Sequence, residues 1–175
     1  MNIFYGEKMK VININGPINS GKSTVSKILV KKLNNAVFVE VDDLLSDEEQ
    51  ENLGLTMEEG WSERTRRLNE LVNEYKKNKN YDEVVFAYPI SENLYKEWKA
   101  FEDKTTSFVN ITLAPKLEVC LTNRGQRELE EWEINRIKQM YEEGYHNRDF
   151  ADLIVDNSNK TPDETVDEIL TFLNK

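Results

Sequence analysis

The chain has 175 residues, 38% of them hydrophobic and 32% charged, with a formal net charge of −10. That length fits one domain with a full core, and only 7 glycines and 4 prolines argue against long disordered linkers. The acidic balance weighs against duplex nucleic acid or an anionic membrane as main partner, because such partners select a basic face. It leaves a nucleotide open, since a local basic patch suffices for one.

The longest apolar runs, over 84–87 and 108–113, are strand-sized and far short of the ~20 residues that cross a bilayer. No apolar run with a small-residue cleavage site opens the chain, so no secretory signal and a cytoplasmic location are expected. Residues 1–8 read either as a short arm or as an extension before a start at Met9. No feature marks an obligate protein partner. A single cysteine, Cys120, excludes an intramolecular disulfide and reads as a buried small hydrophobe.

Taken in chain order, the hydrophobic pattern alternates strand and helix. Residues 10–15 predict a strand carrying Val11, Ile12 and Ile14, and residues 21–33 a helix with Val25, Ile28, Leu29 and Leu33 on one face. A strand over 36–41 precedes a helix over 62–77, striped by Leu68, Leu71, Val72 and Tyr75. A strand over 84–88 stops at Pro89. A helix over 91–101 presents Leu94, Trp98 and Phe101, and a strand over 107–113 closes before Pro115. Then come a helix over 116–123, a polar arginine-bearing stretch, a helix over 131–142 and a strand over 153–155. The last helix has the clearest start, with Thr161 as cap, Pro162 at its first position and Glu164 completing a capping box. Its core face is Val166, Ile169, Leu170 and Leu173. Strands joined by helices imply parallel pairing through right-handed crossovers, hence a single-domain, three-layer α/β/α sandwich with a sheet of about five strands. Ligands in such sheets bind beyond the carboxyl ends of the strands.

The first strand runs directly into Gly16-Pro17-Ile18-Asn19-Ser20-Gly21-Lys22-Ser23, the G-x-x-x-x-G-K-[ST] pattern between a strand and an amphipathic helix. Glycines let the backbone curl so that successive amides point inward at phosphate oxygens. The following helix adds the positive end of its dipole. Lys22 can then reach the β- and γ-phosphates, and the Ser23 hydroxyl can hold Mg²⁺. The expected nucleotide site is Gly16, Asn19, Ser20, Gly21, Lys22, Ser23 and Thr24, with ATP and Mg²⁺ as its ligands.

The second strand leads into Glu40-Val41-Asp42-Asp43. Crowding three carboxylates is costly unless something positive sits among them, as Mg²⁺–ATP would. Strand alternation would put Glu40 and Asp42 on one side, facing the phosphate loop. A phosphate loop with an acidic pair after the second strand resembles the small P-loop kinases related to shikimate kinase, gluconate kinase and chloramphenicol phosphotransferase, which share the nucleoside monophosphate kinase-like fold. The resemblance implies an ATP-dependent phosphotransferase acting on a small-molecule hydroxyl acceptor. It makes Asp42 the base or substrate anchor and Glu40 a residue that helps to position magnesium. Glu40 departs from the aspartate usual in shikimate kinases. The plainer alternative is that these acids cap the next helix.

Arg124-Gly125-Gln126-Arg127 falls between two helices. Arginines on a closing segment place cations on developing charge and keep water out. Relatives close an arginine-bearing lid over ATP, so 122–146 is the expected lid region. Arg124 and Arg127 are its catalytic cations, and Arg136 is either a third or a surface partner of a glutamate. The resemblance also places the loop after the last strand at the adenine, with Asn157 in the nucleotide site through backbone contacts. His146, the sole histidine, reads as structural.

Residues 44–80 stand where related kinases hold the acceptor. Trp61 and Arg64, three apart, share a helix face and would grip an acceptor with a ring and a negative charge; the alternative is a core-facing tryptophan beside a solvated arginine. Arg66 and Arg67 read as surface residues. The third strand ends in Phe86-Ala87-Tyr88-Pro89, without the aspartate many P-loop proteins carry there and without the glycine run of shikimate kinases. Tyr88 is therefore expected to line the acceptor pocket. Two other readings stay open: a nucleoside or nucleotide kinase, with a base stacked on Trp61 or Tyr88, and an ATP-binding sensor without acceptor turnover.

Overall fold

The computed structural model describes residues 8–123 and 128–175. Its elements in chain order are β1 (Met9–Asn15), α1 (Lys22–Lys32), β2 (Ala36–Val39), a 3-10 turn (Val41–Leu44), α2 (Asp47–Asn52), α3 (Met57–Asn78), β3 (Glu83–Ala87), α4 (Glu92–Ala100), β4 (Thr106–Leu113), α5 (Leu117–Cys120), α6 (Glu131–Glu142), β5 (Leu153–Val155) and α7 (Pro162–Leu173). The strands form one sheet in the order β2-β3-β1-β4-β5, with every neighbouring pair parallel. This is the three-layer α/β/α arrangement that alternating strands and helices imply.

Successive side chains of a strand point to opposite faces, and that alternation sorts the core into two halves. On one face Ile12, Ile14, Val85, Ile111, Leu113 and Val155 pack with Val25 and Leu29 of α1 and Val166 and Ile169 of α7. On the other, Val11, Val84, Phe86 and Phe108 pack with Leu68 and Val72 of α3 and Trp98 of α4. The rings of Trp98 and Phe108 stack with centroids 5.6 Å apart. Each such buried side chain contributes about 1.5–3 kcal/mol. Among the described residues no helix is long and apolar enough to cross a membrane.

The structure departs from the hydrophobic pattern where burial is absent. Helix α3 begins at Met57, behind a full capping box of Thr56 and Glu59, rather than at residue 62. Met57 and Trp61 are exposed, so its first turns carry no apolar period. Helix α2 was not expected. It buries no residue, and Ser46 caps it by accepting from the Glu49 amide. Strand β2 stops at Val39, two residues early, because the chain turns into the 3-10 segment there. Helix α5 is a single turn rather than the span 116–123.

Candidate active site

At the carboxyl end of β1 the chain enters the loop from Gly16 to Ser23. Gly16 has φ +142°, and a Cβ there would lie 2.6 Å from the Leu113 carbonyl oxygen and 2.8 Å from Ser20 Oγ, so only glycine fits. Gly21, the N-cap of α1, is left-handed and supplies no side-chain cap. By contrast α2, α3, α4 and α7 are capped by Ser46, Thr56, Ser91 and Thr161. The first-turn amides of α1 therefore keep their donors for an anion. Lys22 folds back over the loop and donates from Nζ to the carbonyls of Gly16 (3.0 Å) and Pro17 (2.7 Å). Burial pushes its ammonium down to about 8, opposed by the neighbouring Cys120, Asp42 and Glu40.

The acids after β2 reach this loop by a different geometry from the one strand alternation suggests. Glu40 is the N-cap of the 3-10 turn, and Asp42 and Asp43 lie inside it. The turn, not a strand, brings Glu40 and Asp42 into the field of Lys22. Glu40 Oε1 accepts from Ser23 Oγ at 3.4 Å, and Glu40 Oε2 lies 3.8 Å from Lys27 Nζ. Burial raises the Glu40 carboxyl above the usual carboxylate range, with Lys27 partly offsetting it. Among the described residues no group of three or more histidine, cysteine or acidic side chains makes a protein-only metal cage. A hydroxyl beside a carboxylate is instead the sparse hard-oxygen set that suits Mg²⁺, which keeps most of its ligands as water and phosphate.

Two cavities adjoin these segments, one at the phosphate loop and one at the 3-10 turn. One of about 380 Å³ is lined by Asn19, Gly21, Thr24, Val25, Asn157, Lys160, Pro162 and Thr165. Asn157, 3% exposed, is one of these residues, and it donates from Nδ2 to the Ser20 carbonyl at 3.0 Å. The other, of about 640 Å³, is bounded by Asp42, Asp43, Leu45, Ser46, Asp47, Gln50, Met57, Trp61 and Arg64. Within it the expected roles of α3 are exchanged. Trp61 is 51% exposed, whereas Arg64 is 8% exposed. Arg64 donates to Gln50 Oε1 (3.1 Å) and the Leu45 carbonyl (2.9 Å) and lies 3.5 Å from Asp47 Oδ1. Arg67, read as a surface residue, braces the same wall through the Leu44 carbonyl, Glu49 and Glu63. Tyr88 is not among the cavity's lining residues. Its hydroxyl is pushed up by burial and then by Asp42, with Arg64 opposing, which puts it within electrostatic reach of both.

Arg124 and Arg127 lie outside the described residues. Arg136 pairs with Glu143 at 3.0 Å. His146 stacks on Tyr141, with ring centroids 4.6 Å apart. Cys120 is fully buried.

Residues 12–140 match the family described as AAA domain. A shikimate kinase of Sulfurihydrogenibium sp. (strain YO3AOP1) is 30% identical over 167 residues, which cover 95% of this chain and 99% of the relative. The chain belongs to the shikimate kinase group of P-loop kinases. Solved structures share the fold. Shikimate kinase from Aquifex aeolicus vf5 superposes with a TM-score of 0.54 at 24% identity, covering 95% of this chain and 96% of that one. A gluconokinase from Sinorhizobium meliloti 1021 superposes with 0.64 at 17%, covering 96% and 93%.

In this member of the shikimate kinase group, three asparagines do positioning work that motif reading passes over. Asn13 and Asn15 are fully buried in β1. Asn13 binds both the amide (3.1 Å) and the carbonyl (3.0 Å) of Tyr88, and Asn15 accepts from the Ile90 amide at 3.2 Å. Together they pin the segment after β3 to β1. Asn19, at φ 62°, donates to the carbonyls of Cys120 (2.8 Å) and Thr122 (2.9 Å), tying the phosphate loop to the end of α5. The available signal was two asparagines in an otherwise apolar strand, since buried amides are kept only where they find partners.

Proposed function

We propose that this protein transfers the γ-phosphoryl group of ATP to a hydroxyl of a small molecule. The observation that carries the reading is the curled loop with Lys22 seated on its Gly16 and Pro17 carbonyls, in the field of Asp42 and Glu40. A cationic group held only by carbonyls, next to uncapped helix amides, is placed to exchange them for phosphate oxygens.

In this reading Lys22 and the amides of the loop hold the β- and γ-phosphates. The cavity lined by Thr24 and Asn157 receives the nucleoside. Ser23 and Glu40 would hold Mg²⁺, which would supply charge neutralisation for the transferring phosphoryl group. The acceptor occupies the cavity lined by Trp61 and Arg64, near Tyr88. Asp42 orients its hydroxyl and takes the proton as the oxygen bonds to the γ-phosphorus. The β–γ bridging bond breaks, and its electron pair leaves on ADP. Arg124 and Arg127, in the region 122–146, would supply the cations that meet the transferring group.

The half-exposed Trp61 also favours a second reading, a nucleoside or nucleotide kinase whose acceptor base stacks there. ADP release, measured against sugars, amino sugars, hydroxy acids, aromatic alcohols and nucleosides, tests both. Acceptor-dependent release is expected, and Asp42→Asn should lower it by about 10²–10⁴ while leaving Mg·ADP binding intact. Nucleotide binding without release for any acceptor, unchanged by Asp42→Asn, would leave a nucleotide sensor as the function.

A further inference from the structure

The acceptor cavity has a definite electrostatic character. Its lining includes three carboxylates, Asp42, Asp43 and Asp47, and one cation, Arg64. Asp42 and Asp43 are exposed and make no ion pair among the described residues. Arg64 is engaged with Leu45, Gln50 and Asp47, and burial of its guanidinium leaves little of it to present. The next cations are engaged as well. Arg67 is held by Leu44, Glu49 and Glu63, Lys22 belongs to the phosphate loop, and Arg148, stacked 4.4 Å over the Tyr145 ring, is not part of the lining. A carboxylate acceptor entering here would meet Asp42 and Asp43, which lack ion pairs among the described residues, and a single lining guanidinium already beside Asp47. Trp61 and Met57, 51% and 67% exposed, offer an apolar platform on the opposite chemistry. A ring with C–H faces stacks on such an indole, and an ammonium gains from both the ring face and the aspartates.

We propose that the acceptor is a hydroxylated amine with an apolar ring face, seated on Trp61 with its ammonium toward Asp43 and Asp47 and a hydroxyl at Asp42. This rests on the reading that the cavity receives the phosphoryl acceptor. It sets this chain apart from its relative named for shikimate, a hydroxylated carboxylate.

Three probes of similar size, one cationic, one neutral and one anionic, test it: glucosamine, glucose and gluconate, with shikimate as a fourth. Binding to the Mg·ADP complex is measured by calorimetry at low and high salt, and ADP release is followed with ATP. Glucosamine should bind tightest, about 10- to 100-fold tighter than gluconate at low salt, with the gap narrowing as salt screens it. Asp43→Asn/Asp47→Asn should shrink that gap to severalfold and leave Mg·ADP affinity unchanged. Trp61→Ala should weaken glucosamine and glucose alike. Any other order overturns the proposal, including tighter binding of gluconate or shikimate, or no binding by any probe below about 10 mM. Loss of Mg·ADP binding itself would instead remove the kinase reading beneath it, so the two failures are distinguishable.

Discussion

The side chain of Asn13 pairs with the backbone of Tyr88 at two points, accepting from its amide at 3.1 Å and donating to its carbonyl at 3.0 Å. The β1–β3 ladder ends at the pair Ile14–Ala87, so the Asn13 amide continues it by one residue. Asn13 also donates to Asn110 Oδ1 at 3.0 Å. Asn13→Ala therefore orphans the Tyr88 amide and the Asn110 oxygen inside the fold. Each orphaned group costs about 1–3 kcal/mol, so the midpoint of urea unfolding should fall accordingly. On the proposed function the acceptor KM should rise more than the Kd for ADP, because Tyr88 lies within electrostatic reach of Asp42 and Arg64. An equal rise in both would mean the pairing serves the fold alone.

The phosphate loop was legible because its chemistry demands fixed residue types at fixed spacing, and α7 because Thr161, Pro162 and Glu164 spell out its first turn. The sheet was legible through short continuous apolar runs such as Val11-Ile12 and Val84-Val85, which are buried on both faces. What stayed hidden depends on contacts across the chain. Nothing local says that Asn13 will meet Tyr88, or that Asn157 will meet Ser20. Trp61 and Arg64 both border one cavity from α3, but which of them enters the wall depends on the Leu45 carbonyl and on Gln50 in α2. That helix buries nothing and so leaves no hydrophobic trace.

Lys22 carries a pH dependence whose sign follows from its position. Its ammonium titrates at about 8 in the folded protein against 10.5 ordinarily. Between those values the unfolded chain holds a proton that the folded chain lacks, so the stability of the nucleotide-free protein should rise with pH across that window. Phosphate oxygens favour the charged form, so ADP binding at pH 8.5 should take up a fraction of a proton. Calorimetry in buffers of different ionisation heat measures that uptake. Lys22→Arg, charged throughout, should abolish it and flatten the pH dependence of ADP affinity above pH 8. Uptake that persists in Lys22→Arg would assign the proton to another group.

Glu40 should act on magnesium rather than on the nucleotide. Its Oε1 sits 3.4 Å from Ser23 Oγ, and burial raises its carboxyl pKa. Glu40→Gln should raise the Mg²⁺ concentration needed for half-maximal ADP release by about 10- to 100-fold, the usual cost of losing a residue that supports a metal ligand. Metal-free ADP affinity should change little. In the wild type the Mg²⁺ requirement should climb as pH falls and Glu40 takes up its proton, and Glu40→Gln should lack that climb.

Asn157 joins the cavity lined by Thr24 and Thr165 to the phosphate loop through one donor, Nδ2, which meets the Ser20 carbonyl at 3.0 Å. Because the residue is buried, its loss is not made good by bulk water. Asn157→Ala should destabilise the protein by about 1–3 kcal/mol and weaken Mg·ADP binding, since the amides that follow Ser20 lose their fixed direction. Asn157→Asp is the sharper test. It keeps the size but turns a carboxylate toward a carbonyl oxygen and toward the phosphates, so its ADP affinity should fall below that of Asn157→Ala. Thermal unfolding with and without Mg·ADP reads both effects. Equal stabilisation by Mg·ADP in wild type, Asn157→Ala and Asn157→Asp would show that the brace does not reach the ligand.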